Sequence, residues 1–441
     1  MTNAKKQFEG DGPRGSGGQD ALVGGHIQVV ESSFITPLGA SAPAASTLKA
    51  TTFTWRRPYV MAARVVFNVL YRLSDQRDRA DEVVFISRQS DEPRYDYAML
   101  AAEFERRGWQ ATMHLKKVRM RDLAGYVGHV LTEIRLLGRC KVAVLDRYDP
   151  VVSLIDFECD DSGAQAGGVA LGANGEDRVN VDFPRKPIVL QLWHAFGAFK
   201  KFGLQTVDMP EGHPRDFIRD WRIHHNYSWV VCSGEGARTA FAEAFSVPRE
   251  RVLPLNRPEY DKLLALRGSQ STDERSRVRV LMAPTLRKSH EVPHPMRDLY
   301  AVHDAFEAAV DADVVWAFHP LEEGLPAPGD VSGELLECDV VVTDYSSLVY
   351  EAYVLGKAVV FYVPDIGSYR ITPGLNRDPL ELCPAICARD AGELVELLHA
   401  VVSDPSNYDS AALWRFIGDA FSASSENDVA VRIVDFLMGH L

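Results

Sequence analysis

Short apolar runs alternate with longer amphipathic stretches along most of this chain, and that alternation is typical of an α/β protein. In the first half, apolar runs at 83–87, 141–146, 187–193 and 227–233 predict strands. The stretches 97–107, which stops at Gly108, and 236–245 predict helices. Because the strand runs are continuously apolar, we expect a parallel sheet with both faces covered by helices.

A second series of apolar runs fills the C-terminal part of the chain. Runs at 278–282, 313–318, 339–343 and 358–363 predict four more strands, with helices between them. The polar stretch 262–277, which separates the two series, predicts a linker. We therefore expect two parallel-sheet domains of the Rossmann type, 51–261 and 278–441, with a cleft between them that suits a two-part substrate.

Two stretches depart from the alternation. Residues 1–50 begin with a polar, glycine-rich run and predict a mobile N-terminal tail. Residues 159–179, rich in glycine, alanine and aspartate, predict a mobile insertion within the first domain.

A basic amphipathic helix is predicted between residues 52 and 73. Arg57, Arg64, Asn68 and Arg72 fall on one narrow face of it, and aromatic and aliphatic side chains cover the rest. Such a helix can lie on an anionic membrane surface, with Arg57, Arg64 and Arg72 as the contact. The alternative is a helix packed on the core with its arginines in water, and the wide apolar circumference favours that alternative.

The charge of the chain limits its partners. With 61 acidic and 48 basic residues the formal net charge is -13, which argues against general binding to nucleic acid or anionic membranes. The 6 cysteines are scattered, and the one close pair, Cys383 and Cys387, has no second pair at zinc-site spacing, so we expect reduced thiols. Neither a signal-peptide pattern nor an apolar run of about 18 residues occurs. We expect a cytoplasmic protein, with at most a peripheral contact at the inner face of the membrane.

The segment LQLWHAFGAFKKFG at 190–203 holds the first candidates for chemistry. His194 follows a predicted strand, and ligands of open α/β sheets bind beyond the carboxyl ends of the strands. An imidazole there can take a proton from an alcohol, and Gly197, Lys200 and Lys201 in the following turn can hold an anion. In the alternative, structural interpretation, a Trp193–His194 pair closes the core.

Polar residues also follow three predicted strands of the second domain. Ser346 and Ser347 stand where a helix begins, so hydroxyl and free amide groups there can hold phosphate oxygens. The candidates for donor binding are Arg287, Thr343, Asp344, Ser346, Ser347 and Glu351, with His319 as a second catalytic candidate. Each has a structural alternative as well: a helix cap, a turn histidine, a surface ion pair or a solvated helix glutamate.

Common metal and nucleotide signatures are missing from the sequence. No His, Cys or Asp grouping has metal-ligand spacing. Neither a GxxxxGK[ST] loop nor a GxGxxG turn after a strand occurs. We therefore expect no metal and no other cofactor.

Four motifs, in this order along the chain, resemble the CDP-glycerol glycerophosphotransferase family, whose members build teichoic-acid and related capsule polymers. They are WHAFGAFKKFG at 193–203, APTLR at 283–287, His319-Pro320, and TDYSSLVYEAYVLGKAVVFYVPDIGSYR at 343–370. The resemblance implies a GT-B-like fold, with the acceptor on the first domain and the CDP-linked donor on the second. It also implies transfer of a polyol phosphate to a hydroxyl with release of CMP, usually without a metal. By the same resemblance His194 is the base, and His319, Thr343, Ser346 and Ser347 surround the phosphates of the donor.

Two departures from the family pattern and several alternatives remain at this point. Ala195-Phe196 follows the histidine where members often have glycine and threonine, and 255–261 replaces a Gly-x-Pro-Arg-x-Asp loop. CDP-glycerol is the first candidate donor and CDP-ribitol the second, with a lipid-linked or polyol-phosphate acceptor. A single transfer is as consistent with the sequence as polymerisation. A nucleotide-sugar glycosyltransferase or epimerase and a non-enzymatic scaffold are the more distant alternatives.

Overall fold

The computed structural model describes residues 57–75, 78–117, 123–157, 187–268, 277–287, 295–319, 322, 325–326, 330–422 and 428–441. The tail expected at 1–50 and the insertion expected at 159–179 lie outside the described residues, as does 269–276 of the expected linker.

Six parallel strands form the sheet of the first domain within the described residues, in the order β2-β1-β3-β4-β5-β6. The strands are β1 (Ala80–Ser87), β2 (Gln110–Leu115), β3 (Cys140–Leu145), β4 (Ile188–Gln191), β5 (Trp229–Cys232) and β6 (Val252–Pro254). The four predicted runs correspond to β1, β3, β4 and β5. The edge strands β2 and β6 were not expected, because β2 mixes polar with apolar residues and β6 is only 3 residues long.

The second domain has a sheet of five parallel strands in the order β11-β10-β9-β7-β8. The strands are β7 (Arg279–Met282), β8 (Asp313–Trp316), β9 (Val340–Thr343), β10 (Ala358–Tyr362) and β11 (Cys387–Ala388). All four predicted runs are strands. The edge strand β11 has 2 residues and leaves no periodic signal in the sequence.

Helices cover both faces of each sheet, and two apolar clusters flank each sheet as a result. The expected α/β architecture with two parallel sheets is therefore confirmed. The helices are α1 (Arg57–Ser74), α2 (Tyr95–Arg106), α3 (Leu123–Arg139), α4 (Pro150–Leu154), α5 (Arg215–Trp221), α6 (Arg238–Phe245), α7 (Glu259–Gly268), α8 (Pro295–Ala301), α9 (His303–Val310), α10 (Val331–Glu337), α11 (Leu348–Val354), α12 (Ile366–Tyr369), α13 (Pro379–Leu382), α14 (Ala391–Ser403), α15 (Ser410–Ile417) and α16 (Val429–Met438).

The last helix returns to the first domain. Ile433 and Leu437 of α16 are buried in the same cluster as Val83 and Phe85 of β1. The Val429 amide, at the start of α16, donates to the Asp261 carboxylate at 2.8 Å. The end of the expected second domain, 278–441, thus lies on the first sheet, because the apolar side of α16 completes the cover over β1.

The orientation of α1 agrees only in part with the one favoured by the sequence. Arg64 of α1 faces the protein and pairs with Asp156 (Nη2–Oδ1, 2.8 Å), and Asn68 donates to the Leu154 carbonyl. Part of the apolar circumference is buried as expected, with Val60 and Tyr71 exposed by only 4% and 3%, and Arg57 and Arg72 are exposed. Arg64 departs from the expectation because it is held by Asp156. The remaining apolar side faces outward, with Val65 and Leu73 exposed by 62% and 80%. Within the described residues, no helix combines the length and apolar character needed to span a bilayer.

Candidate active site

The segment 193–203 passes from the core of the first domain into the core of the second. Trp193 and Phe202 pack together in the first domain, with ring centroids 5.3 Å apart. Phe196 and Phe199 between them are buried among side chains of the second domain, and Phe199 lies 4.8 Å from Phe416. The alternation of aromatic residues thus fastens this segment to both domains, and His194 stands at their junction.

His194 lies three residues beyond β4 and is buried, with 7% of its surface exposed. Its Nδ1 is 3.4 Å from the carbonyl oxygen of Asp146, at the end of β3. A carbonyl oxygen only accepts, so Nδ1 carries the proton and Nε2 presents a lone pair. The expectation that this histidine is an exposed strand-end residue is wrong, because the junction of the two domains covers it.

Three arginines create a positive field around this imidazole. Burial is the main reason that the pKa of His194 lies well below its usual value. The guanidinium groups of Arg147, Arg94 and Arg257 lower this pKa further. His194 is therefore neutral at pH 7, and an anion placed among the arginines would raise its basicity.

Two of these arginines have donors that the protein itself does not use. Burial lowers the pKa of Arg147 to about 10, and its Nε and Nη2 are buried without a hydrogen-bond partner among the described residues. Arg257 pairs with Asp96 (Nη2–Oδ2, 2.8 Å), yet its Nη1 is likewise buried and unpartnered. Unused buried donors are costly in an empty site, and a bound phosphate would satisfy them.

Sequence reasoning missed these arginines, although two of them left a signal. Arg147 follows the predicted strand at 141–146, and the strand-end rule applied to His194 would have selected it as well. Arg257 lies in the loop 255–261, which was noted only as a departure from the family pattern. Its guanidinium lies over the ring of Phe196, with Cζ 4.8 Å from the ring centroid.

The residues expected to hold an anion after His194 make structural contacts. The amide of Gly197 donates to Ser233 Oγ at 2.9 Å, and Lys201 donates its amide to the Gly374 carbonyl at 3.0 Å. Lys200 forms an antiparallel bridge with Leu375. The main chain at these positions is thus used to join the domains, and the Gly197 amide is not free for a phosphate.

The strand ends of the second domain bring an arginine between two carboxylates. Arg287 Nη2 lies 2.8 Å from Asp344 Oδ2 and 3.0 Å from Asp365 Oδ2. Burial opposes the charge of Arg287, but Asp344 and the groups near it more than offset that effect and raise its pKa. Nε and Nη1 of Arg287 remain buried without a hydrogen-bond partner in the described part of the chain. Arg287 is therefore a half-buried residue whose side chain is only 9% exposed and keeps two unused donors, so it is not the surface ion pair considered as its alternative.

Thr343, Ser346 and Ser347 lie just before α11, and their hydroxyl groups differ in the hydrogen bonds that they already make within the protein. Thr343 is fully buried and donates to the Ala283 carbonyl at 2.7 Å, so it ties β9 to β7 and is not open to a donor. Ser346 Oγ accepts from the Leu348 amide at 3.3 Å. Ser347 precedes α11 without capping it through its side chain. The Thr343 hydroxyl is thus engaged within the sheet, whereas Ser346 and Ser347 stand at the expected helix start.

Glu351 connects the second domain electrostatically to the first. Burial raises the pKa of Glu351 to about 8, and the neighbouring Glu259 raises it further, while Arg257 lowers it. One oxygen of Glu351 is buried with no hydrogen-bond partner within the described residues. The solvated helix glutamate considered from the sequence is wrong. His319, the other catalytic candidate, is half-buried beyond β8 and accepts the Glu322 amide through its carbonyl at 2.8 Å.

A family model described as CDP-Glycerol:Poly(glycerophosphate) glycerophosphotransferase matches residues 70–439 of this chain. The chain belongs to this family. It is a transferase of the class that moves a polyol phosphate from a CDP-activated donor in teichoic-acid synthesis, and the resemblance inferred from the four motifs is confirmed.

Curated relatives and a solved structure agree with this assignment. The chain is 27% identical over 342 residues to a teichoic acid ribitol-phosphate primase of Bacillus spizizenii, covering 72% of this chain and 80% of the relative. It is 23% identical to a teichoic acid glycerol-phosphate primase of Bacillus subtilis, covering 56% of this chain and 67% of the relative. The structure of the wall teichoic acid polymerase TagF has the same fold, with a TM-score of 0.58 at 16% identity, covering 88% of this chain and 98% of that one. The GT-B-like arrangement expected from the resemblance is confirmed by this likeness.

Proposed function

We propose that this chain transfers glycerol phosphate from CDP-glycerol to the hydroxyl of a lipid-linked or polyol-phosphate acceptor and releases CMP. The observation that carries the proposal is the neutral His194 imidazole, buried where two domains meet and surrounded by arginines with unused donors. A base next to a positive cluster is what the attack of an alcohol on an anionic diphosphate requires.

The proposed step is a displacement at phosphorus. The acceptor oxygen forms a bond to the phosphorus that carries the polyol, and the bond from that phosphorus to the bridging oxygen of the diphosphate breaks. CMP leaves with the electron pair of the broken bond, and the acceptor proton passes to Nε2 of His194. Arg94, Arg147 and Arg257 neutralise the charge that develops on the transferred phosphate.

The second domain holds the donor in this proposal, and the first domain holds the acceptor. Arg287 offers Nε and Nη1 to the diphosphate, while Asp344 and Asp365 hold its guanidinium in place. Ser346, Ser347 and His319 lie at neighbouring strand ends and complete the phosphate contacts. Glu351, with an unpartnered buried oxygen, suits a hydroxyl of the ribose. Lys200 and Lys201 remain candidates for the acceptor phosphate through their side chains.

CDP-ribitol is the second candidate donor, because the relative matched over 80% of its own length is a ribitol-phosphate primase. The two relatives described above are named as primases and the solved structure is that of a polymerase, so single transfer and repeated transfer are both outcomes of the test. A donor comparison with CDP-glycerol, CDP-ribitol and a UDP-sugar, read out as nucleotide release, separates the candidates. If no CMP is released from CDP-glycerol or from CDP-ribitol, the proposal is wrong. If only the UDP-sugar is turned over, the chain is a nucleotide-sugar transferase instead.

The role of His194 is tested in the same assay. His194→Gln retains much of the side-chain volume and is expected to lower kcat by about 10²–10⁴-fold, the usual contribution of a general base. Because the pKa of His194 is held well below its usual value, titration of His194 itself should cause no fall in kcat/KM between pH 8 and pH 6. His399→Gln, at an exposed position of α14, is the control and should leave turnover unchanged. If His194→Gln loses activity and its unfolding midpoint also falls strongly, the residue has a structural role in the core instead.

We also propose that α1 rests on the anionic membrane that carries the acceptor. The outward side of α1 exposes Tyr59 by 71%, Val65 by 62% and Val69 by 53%, and the helix has three arginines and no acidic residue. The contact is made by this apolar side, with Arg57 and Arg72 near lipid phosphates, because Arg64 is engaged by Asp156. Vesicle binding by α1 variants tests the contact.

A further inference from the structure

Two histidines and a glutamate outside the candidate active site converge on one point of the first domain. His114 lies in β2, and His129 and Glu133 lie one turn apart on the same side of α3. The potential ligand atoms of the three side chains all lie within 4.8 Å of one another. His114 Nε2 is 3.9 Å from Glu133 Oε2, which is too far for a hydrogen bond.

One atom of each side chain in this cluster is left without a hydrogen-bond partner among the described residues, although the Glu133 carboxyl also interacts with Asp149. Nε2 of His114, Nε2 of His129 and Oε1 of Glu133 are buried, and none has a hydrogen-bond partner among the described residues. His114 is 7% exposed and Glu133 is fully buried. Three convergent buried atoms without partners are unfavourable in the absence of a ligand, and a single cation would satisfy all three.

The protonation of the two imidazoles suits metal binding. Burial lowers the pKa of His129 to about 4, and the adjacent His114 lowers it further. Burial also lowers the pKa of His114. Both rings are thus neutral at pH 7, the form in which an imidazole nitrogen binds a metal.

The charged groups next to the cluster are one arginine and two carboxylates, which favours the binding of a further positive charge. Arg88 is the neighbouring guanidinium, and it is shared between Asp149 (Nε–Oδ2, 2.5 Å) and Glu133 (Nη2–Oε2, 3.4 Å). Two buried carboxylates therefore face one positive charge, and burial followed by the Asp149 charge raises the pKa of Glu133 well above its usual value. A divalent ion would supply the missing positive charge and allow Glu133 to ionise.

We propose that His114, His129 and Glu133 form a binding site for a zinc-class divalent metal ion. Two imidazole nitrogens and one carboxylate oxygen are the ligand types of three-residue zinc sites, in which a water takes the fourth position. The half-buried position of His129 gives that water and the incoming ion access to the site. The two rings now stack with centroids 3.8 Å apart and planes 10° apart. Since a metal binds in the plane of an imidazole, loading tilts the His129 ring away from that of His114.

No metal was expected from the sequence, because no His, Cys or Asp residues that are close together in the chain have metal-ligand spacing. His129 and Glu133 have helical spacing, but His114 comes from another element, and only the packing of α3 against the first sheet brings it near. The site lies at the carboxyl edge of that sheet, beside β1, whereas His194 follows β4. The proposal is independent of the proposed transferase mechanism.

The test is a Zn²⁺ titration of the untagged full chain after removal of metal by a chelator. Calorimetry is expected to give one equivalent of bound Zn²⁺, and the unfolding midpoint should rise with Zn²⁺ concentration. His129→Gln should weaken binding by more than about 10-fold, because it removes a direct ligand. Co²⁺ in place of Zn²⁺ should produce the visible absorption of a tetrahedral site, and His129→Gln should abolish it.

His303→Gln is the matched control, because His303 Nε2 lies 3.3 Å from a carboxylate oxygen of Asp304 on the surface. This variant should bind Zn²⁺ as the unmodified chain does. The His129 variant decides the outcome even where His114→Gln fails to fold, since His129 is only half-buried. Failure to bind Zn²⁺ or equal affinity in His129→Gln would overturn the proposal, as would a tenfold loss in His303→Gln.

Discussion

At the scale of single residues, the junction of the two domains is held by buried charges instead of apolar contacts alone. Arg257 pairs with Asp96 and Glu259 of the first domain and lies in the field of Glu351 from the second. A buried network of this kind is sensitive to the loss or gain of one proton, because no water screens its members. Glu351 is the member whose protonation changes near neutral pH.

Glu351→Gln is therefore expected to alter the pH dependence of stability. The pKa of Glu351 is about 8 in the folded chain, against about 4.3 in an unfolded one, so the native state binds this proton more tightly. The free energy of unfolding should fall as pH rises between these two values. The glutamine variant lacks this decline, and its stability relative to the unmodified chain should increase by at least about 1 kcal/mol between pH 5 and pH 8.

Urea unfolding at pH 5, 6.5 and 8 measures the difference. Glu396→Gln, at an exposed position of α14, is the control and should give a curve parallel to that of the unmodified chain. A parallel curve for Glu351→Gln as well would mean that the carboxyl is solvated in the folded chain.

At the scale of elements, the sequence predicted strands better than it predicted the contacts of the segments between them. Continuous apolar runs define buried parallel strands through their own composition, and every predicted run is a strand. An amphipathic pattern, in contrast, indicates two faces but not which one meets the protein. For α1 that choice depends on Asp156 and the Leu154 carbonyl, which are distant in sequence.

The turn at Gly197 is an element whose geometry admits only glycine. Gly197 has φ +58°, and a Cβ atom there would lie 2.1 Å from the Tyr350 ring. Gly197→Ala is expected to lower the free energy of unfolding by about 2–4 kcal/mol, through backbone strain and overpacking. Gly128→Ala in α3, where a Cβ meets nothing within 4 Å, should be neutral or stabilising by up to about 1 kcal/mol. Chemical unfolding of the two variants side by side checks this, and equal stability would show that the Tyr350 contact is loose.

At the scale of the whole molecule, the proposed membrane contact lies on the first domain, which holds the acceptor in the proposed function. Val65→Glu with Val69→Glu places two charges on the outward side of α1 and should reduce binding to anionic vesicles by about 10-fold or more. Val302→Glu, at a residue 55% exposed in the second domain, controls for the added charge. Co-sedimentation measures both, and unchanged binding of the α1 variant would exclude this surface as the contact.

The family was within reach of the sequence through local motifs, and the fold class through the alternation of apolar runs. The grouping of Arg94, Arg147 and Arg257 around His194 was not, since these arginines follow three separate strands or loops and meet only in the folded chain. Thr343 and Gly197 belong to the motifs, and their polar groups are used between strands and between domains. A motif identifies residues close to the active site. It does not separate the residues that contact the substrate from those that stabilise the surrounding structure.

The anchoring of 193–203 in both cores has a consequence for how the enzyme would move. Trp193 is fixed in the first domain and Phe196 in the second, with only His194 and Ala195 between them. A rotation of one domain against the other would therefore change backbone torsions at these two residues, and again between Phe199 and Phe202, where the segment returns to the first domain. The His194 imidazole would change its direction as the two domains open and close. In the proposed mechanism, proton abstraction would then depend on domain closure.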